Sequence, residues 1–310
     1  MVFIKKILSL VVTMWLIVTI TFIIMHSIPG DPFSNDSKAL SADQLQNMKA
    51  KFHLDEPLIV QYFIYLKNIA TFNLGPSIQS ESRDVNTIIG EGLGASALLG
   101  VQSIVVALLG GIILGTLAAI YKQRIPDFIS LFIAIIGISV PSFILAPLLI
   151  KYLGVEWHLL PIANFDSWLH SVNPTIALAV GPLAIITRYV RSNMIEVLNS
   201  NYIRTAKAKG LPMSYIITQH ALRNTLLPVI TFLGPLFAAV VTGTFVVEKV
   251  FSIPGIGKYF VESIFNRDYP VIMGTTIFYS FVLLITLLLV DVSYRLIDPR
   301  ISLKSGERFE

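Results

Sequence analysis

The sequence predicts an all-α integral membrane protein with six transmembrane helices, a helical external loop and a basic helical elbow on the cytoplasmic side. Three observations predict it. Hydrophobic residues make up 54% of the chain and charged residues only 14%, whereas a soluble domain carries roughly 25% charged residues. Apolar runs at about 7–28, 97–121, 128–150, 174–190, 228–247 and 271–294 are long enough to cross ~30 Å of hydrocarbon, which takes about 20 residues each. Finally, 14 of the 23 Lys and Arg fall in the segments that share a side with the N-terminus.

The first run follows Lys5 and Lys6. It is too long for the apolar core of a signal peptide and no small-residue cleavage site follows it, so residues 1–28 are predicted to be an anchoring first helix. With the N-terminus inside, Lys122, Arg124, Arg188, Arg191, Arg204, Lys207, Lys209, Arg223, Arg295 and Arg300 all become cytoplasmic, which places both termini inside. The net charge of +4 does not argue for nucleic acid, because in a membrane protein the placement of basic residues matters more than their sum.

Residues 29–96 form an external segment too long for a simple connection. Ser41-Ala-Asp-Gln44 has the form of a capping box, opening a helix that ends near Phe52. Asp55-Glu56-Pro57 starts a second helix with Leu58, Tyr62, Leu66 and Ile69 on one face. A cap resting on the membrane surface and a docking surface for an external partner both fit. In the core, 97–295, Gly111 and Gly115 have the spacing of a close helix approach. Pro141, Pro147, Pro174, Pro182, Gly234 and Pro235 predict kinked spans, suited to packing or to a pathway whose walls move. Residues 296–310 read as a cytoplasmic tail.

The elbow spans Asn201 to Pro228 and contains no acid, yet carries Arg204, Lys207, Lys209 and Arg223. It reads as two short helices with a fixed joint: Asn201 caps the first, Gly210 ends it, and Pro212 takes the first position of the second. A stiff basic element at the membrane surface is something another protein can push on. Ordinary positive-inside anchoring and lipid headgroup contact are the plainer reading of any one cation.

Catalytic chemistry finds little support. Ile253-Pro-Gly-Ile-Gly-Lys258 resembles the end of a phosphate-binding loop, but Ser252 and Tyr259 stand where that motif needs Gly and Ser or Thr. The five histidines are scattered, and cysteine is absent, which excludes disulfides and thiolate metal sites; no cofactor is expected. Asp291 is the clearest charge within a span, with Arg295 one turn away to satisfy it. Glu248 and Lys249 are placed at the outer end of the fifth span, where charge costs little. Thr242, Gly243 and Thr244 are small and polar enough to line a path or to pack. Without a ladder of buried ionisable groups or a convincing repeat, a self-sufficient secondary carrier or channel is poorly supported. A membrane-anchored scaffold remains a further alternative.

Several blocks together resemble the membrane permease subunit of binding-protein-dependent ABC importers, in the dipeptide, oligopeptide and nickel branch. They are Ile28-Pro-Gly-Asp-Pro32, Leu54-Asp-Glu-Pro57, Asn73-Leu-Gly-Pro-Ser77, Ser139-Val-Pro-Ser-Phe143, Arg191 through Glu196, Tyr202 through Gly210, His220 through Asn224, Phe251 through Gly257, Arg267-Asp-Tyr-Pro270 and Asp298-Pro-Arg300. The resemblance covers nearly the whole chain and implies a type I importer fold, with residues 199–227 as the coupling loop. In the family's Glu-Ala-Ala…Gly pattern, Arg204, Thr205 and Ala206 take the first three places and Gly210 the last, so arginine replaces the acid. The resemblance further implies a second homologous permease subunit, two cytoplasmic ATP-binding subunits and an external substrate-binding protein. Tyr202, Arg204, Thr205, Ala206, Lys209, Gly210 and Leu211 would contact the ATPase. Oligopeptide import is the first expectation, with dipeptide, nickel or metallophore, and glutathione import as alternatives.

Overall fold

A computed structural model describes residues 2–27, 33, 42–80 and 83–297, with residues 2–4, 42, 44, 227, 231, 235, 242, 243 and 291–297 described by their backbone alone. The described chain is helical, its one β feature being an isolated bridge between Pro76 and Asp84. Contacts divide it into two compact units, residues 1–94 with 254–282 and residues 95–253 with 283–310. Ser41, the first proline block at 28–32 and the tail beyond 297 lie outside the described residues.

The first unit holds α1 (Val2–Ser27), α2 (Ala42–Lys51), α3 (Leu58–Ala70), the start of α4 (Val85–Ile120), α12 (Ile256–Asn266) and the first half of α13 (Tyr269–Ile297). Pro57 is the N-cap of α3, as its extended ψ of 142° and fixed φ allow. The four residues expected on one face of α3 are not equally covered: Tyr62, Leu66 and Ile69 are half-buried. Leu58 is exposed, while Tyr62 and Tyr65 turn in against Phe22, Met25 and Met273. α4 starts at Val85, well before the expected 97, so its first turns belong to this unit and Val85, Ile88 and Ile89 pack with Ile256 and Val271.

Two blocks distant in sequence meet here at a buried carboxylate. Asp268 accepts the hydroxyl of Ser77, the backbone N–H of Ile78 at 3.2 Å and that of Gln79 at 3.2 Å. It also accepts the N–H of Val271 at 3.4 Å, which caps α13. Several N–H and O–H donors compensate the burial of an acid that would otherwise be costly. The segment resembling a phosphate loop is occupied with packing: the Gly255–Ile256 backbone lies so close to Gly92 that a Cβ there would come within 2.6 Å of Ile256 N.

The second unit is organised around α7 (Val172–Leu198). Against it pack α5 (Ile125–Ser139), α6 (Ser142–Leu149), α10 (Leu222–Thr231) and α11 (Leu233–Val250). The later part of α4 also packs on it, through the two glycines. A Cβ on Gly111 would stand 2.7 Å from Ile186 Cβ, and one on Gly115 2.7 Å from the Thr187 carbonyl. Hydrocarbon offers no hydrophobic drive between helices, so close backbone approach of this kind supplies the attraction.

By length and apolarity four described helices can cross a membrane: α1, α4, α7 with its preceding turn, and α13. The expected third span is two helices, α5 and α6, meeting at 105°. Val140 is extended before Pro141 (φ −97°, ψ 111°), as the steric restriction on a pre-proline residue demands, and Pro141 then caps α6. The run expected at 228–247 is divided between α10 and α11 by a break at Phe232 and is not among the four.

Candidate functional site

The elbow begins where α7 ends. Ser200, not Asn201, takes the N-cap position of α8 (Asn201–Ala208), with ψ 155°. Its hydroxyl donates back to the Val197 carbonyl at 2.6 Å, so it seals the end of α7 and not the start of α8. Pro212 is likewise one place earlier than expected, the extended N-cap (ψ 145°) of a helical run through α9 (Met213–Tyr215), a π-helical turn at Ile216–Ala221 and α10.

The joint is a Schellman motif. Gly210 has φ +77°, its N–H donates to the Lys207 carbonyl at 3.0 Å, and the N–H of Leu211 reaches the Ala206 carbonyl at 3.3 Å. Only glycine adopts that left-handed conformation without steric cost. The accompanying hydrophobic contact is also present, since Leu211 packs with Ala206 in one cluster.

That cluster seats the elbow. Ile203 and Ala206 of α8 meet Ile216, Ala221, Met194 of α7 and Ala119 of α4. Ile203 and Ile216 are fully buried, each contributing about 1.5–3 kcal/mol relative to exposure. Across the joint, the Asn224 side-chain amide donates to the Tyr202 hydroxyl at 2.7 Å. The two limbs are thus held by backbone, apolar and polar contacts at once.

The outward face carries the charge. Tyr202, Arg204, Thr205, Lys207, Lys209 and Gly210 are exposed, as is Arg223. None of the four cations makes an ion pair among the described residues. Ala206, expected among the contact residues, is only 8% exposed and points into the cluster, and Leu211 is half-buried against the same residues. The α-helical period explains this, because Ile203 and Ala206 are three apart and share the inner stripe.

One further pair ties α5 to α7, the helix that leads into the elbow. Asp127 of α5 accepts two bonds from the Arg191 guanidinium, Nε at 2.6 Å and Nη2 at 2.8 Å, and a third from the backbone N–H of Gln123 at 2.8 Å. The Asp127 side chain is 3% exposed and that of Arg191 23%. Such a planar fork matches a carboxylate in both distance and direction. Arg191 was legible as a basic residue after a span; Asp127 was missed, although an acid in the first turn beside Arg124-Ile-Pro126 was the available signal.

Other expectations resolve differently. Glu248 is 0% exposed, a correction to its placement where charge costs little, and Ser96 donates to it at 2.7 Å. Thr244 is buried, its hydroxyl donating to the Val241 carbonyl at 2.7 Å, so within this chain it packs. The side chains of Thr242, Asp291 and Arg295 and the surroundings of Gly243 lie outside what the structure describes.

A helical membrane protein with a stiff, outward-basic elbow built onto its central helix is the class that fold and site define. Residues 111–303 match the family described as binding-protein-dependent transport system inner membrane component, and residues 1–81 match the N-terminal component of the same systems. The chain belongs to this family of ABC importer permeases. It is 53% identical to the dipeptide transport system permease protein DppB of Bacillus subtilis (strain 168), over 97% of each chain. It is 39% identical to the oligopeptide transport system permease protein OppB of Haemophilus influenzae, over 96% of this chain and 97% of that one. A solved structure of the MetNI methionine ABC transporter in inward-facing form overlays with a TM-score of 0.49 at 18% identity, covering 69% of this chain and 94% of that one. Members of this family are the membrane components of importers that work with a binding protein and an ATPase, and are not themselves the ATPases.

Proposed function

We propose that this chain is one of two homologous membrane subunits of a peptide importer, forming half of the translocation pathway and receiving the stroke of two cytoplasmic ATPases through the elbow. The observation that carries the reading is the elbow itself: exposed cations that make no ion pair among the described residues, a Schellman joint, and an apolar inner face seated on α7. Stiffness matters because a flexible element would absorb a push that a rigid one passes on. ATP closes the ATPase pair, α8 moves with it, and α7 carries the movement to the α5–α6 break at Pro141, opening the pathway to an external binding protein.

The contact surface is narrower than the sequence suggests: Tyr202, Arg204, Thr205, Lys209 and Gly210 are the exposed residues offered to the ATPase, with Ala206 and Leu211 bracing them from behind. The elbow is cytoplasmic on this reading, and so are both termini. Peptide is the substrate class common to the relatives; the sequence alone favours oligopeptides, whereas identity is higher to a dipeptide permease.

The test is co-purification of the tagged chain from its native membrane in mild detergent, followed by reconstitution. Recovery of a second permease and ATPases, with peptide-stimulated ATP hydrolysis and uptake once the binding protein is added, supports the reading. A chain recovered alone that moves solute by itself is a carrier, and one that binds an ATPase but moves no solute is a scaffold; either result overturns it.

A further inference from the structure

α3 presents its apolar side outward. Leu58, Ile59 and Phe63 are 58%, 62% and 62% exposed, and the only charge within the helix is Lys67, also exposed. On a water-facing helix this arrangement would be inverted. What covers the face follows from how the other side of α3 is held.

The inner side is bound to α1 partway along a membrane span. The Tyr62 hydroxyl is 2.6 Å from Thr19 Oγ1, and the Tyr62 ring meets Phe22 edge-on at 5.3 Å. Gln61 Oε1 lies 3.1 Å from His26 Nε2. Taking Lys6 as one margin of the bilayer, a rise of ~1.5 Å per residue puts His26 about 30 Å away, at the opposite margin of the hydrocarbon. Thr19 is then about 10 Å inside it. α3 therefore lies at the bilayer margin, with Tyr62 reaching down into the hydrocarbon.

The neighbouring surface agrees. Ile20, Ile23 and Ile24 are exposed on the same turns of α1 that hold α3, so at this level a membrane-spanning helix also shows aliphatic side chains outward. Lys67, one turn beyond Phe63, can carry its ammonium to the headgroup phosphates while its stem lies along the apolar face.

We propose that α3 is an interfacial membrane helix whose Leu58, Ile59 and Phe63 are covered by phospholipid, not by an external protein partner. The inference needs α1 to cross the bilayer and is independent of which side carries the elbow.

The chain has no cysteine, so Ile59→Cys and Phe63→Cys can be spin-labelled singly in the assembled transporter, in phospholipid nanodiscs, with partner subunits freed of reactive thiols. Collision with oxygen is compared with collision with a water-soluble nickel chelate, using Ile20→Cys as the lipid reference and Glu56→Cys as the aqueous one. The expected oxygen-to-nickel ratio at both α3 positions is at least about threefold above Glu56→Cys and close to Ile20→Cys. A ratio equal to that of Glu56→Cys means a water-facing helix and overturns the proposal. So does suppression of both collisions, which means that a protein subunit covers the face, or a loss of accessibility only when the external binding protein is added.

Discussion

α8 and α3 are both short helices fastened to a membrane-embedded framework, and they are dressed in opposite ways. α8 turns Ile203 and Ala206 inward and leaves Arg204, Lys207 and Lys209 outside; α3 turns Tyr62 and Tyr65 inward and leaves Ile59 and Phe63 outside. The inner faces are alike in being apolar, because each must bury something to be held. The outer faces report what lies beyond. Cations without an ion pair among the described residues stay solvated until a polar partner arrives, whereas bare aliphatic and aromatic groups call for an apolar neighbour, which on the proposal above is lipid. The exits, by contrast, are built alike. Gly210 at φ +77° and Phe72 at φ +55° each close a helix with the paired bonds of a Schellman motif, Gly210 N–H to Lys207 and Leu211 N–H to Ala206 in α8, Phe72 N–H to Ile69 and Asn73 N–H to Asn68 in α3. A fixed exit therefore does not by itself mark a helix that transmits force; what sets α8 apart is the charged face that a partner can reach.

The sharpest way to break that contrast is Gly210→Pro. Proline fixes φ near −65° where the backbone needs +77°, and removes the N–H that donates to Lys207. The local cost is about 3 kcal/mol or more, and uptake is expected to fall at least about tenfold. The chain should still reach the membrane, because the apolar seat of α8 is untouched. Uptake in vesicles, measured beside ATPase co-purification, checks this; normal uptake would show that the joint does not carry the stroke. Gly210→Asn, which tolerates the left-handed conformation better, should lie between the two.

Next in size is the Asp127–Arg191 pair. Removing one partner of a fully buried pair costs about 3–5 kcal/mol, and the partial exposure of Arg191 brings the expectation for Arg191→Ala nearer 2 kcal/mol. The charge-exchanged double variant, with Asp127→Arg and Arg191→Asp, should recover part of that loss, with a coupling energy of about 0.5–3 kcal/mol in a double-mutant cycle. Thermal unfolding of the purified complex reads both. Strict additivity would mean that the pair does not hold α5 to α7.

How far these features were legible depends on whether the deciding force was local. The elbow was readable because glycine after a short helix and proline shortly beyond it are backbone signals; the caps were misplaced by one residue because the extended backbone, and not a capping side chain, sets them at Ser200 and Pro212. The burial of Ala206 was within reach, since it lies three residues from Ile203 on one stripe. The 105° turn at Pro141 was under-read as a kink, because the sequence shows that a bond is missing and not where the chain goes next. Glu248 was misplaced because its burial depends on Ser96, more than a hundred residues earlier. Asp268 is the same lesson in the first unit: its partners Ser77, Ile78 and Gln79 are nearly two hundred residues away, and no local pattern names them.

Ala206 and Ala208 sharpen the inner-versus-outer distinction within α8 itself. Ala206→Leu inserts three carbons into a closed cluster, expected to cost about 1–2 kcal/mol through overpacking. Ala208 is exposed, and Ala208→Leu should leave stability within about 0.5 kcal/mol. If Ala208 touches the ATPase, that variant weakens complex formation while its melting temperature is unchanged, and Ala206→Leu shows the reverse. Equal melting losses in the two would place Ala208 in the seat and contradict the observed face.

The smallest effect is expected at Lys207. Its ammonium is exposed and makes no ion pair among the described residues, so Lys207→Ala should leave stability within about 0.5 kcal/mol. Its contribution to docking is a long-range one, screened over ~10 Å at 0.1 M salt. Lys207→Ala should therefore slow ATPase association severalfold at low ionic strength, and the difference should shrink as salt is raised. The alternative role of an elbow cation, holding anionic headgroups, has a different signature: its loss would depend on the fraction of anionic lipid and survive in the absence of the ATPase. Association rates measured by fluorescence in nanodiscs of neutral and of anionic lipid separate the two. A salt-dependent defect in neutral lipid assigns Lys207 to the protein partner, and a defect confined to anionic lipid assigns it to the membrane, which would make this part of α8 an anchor like α3 and erase the contrast at that residue.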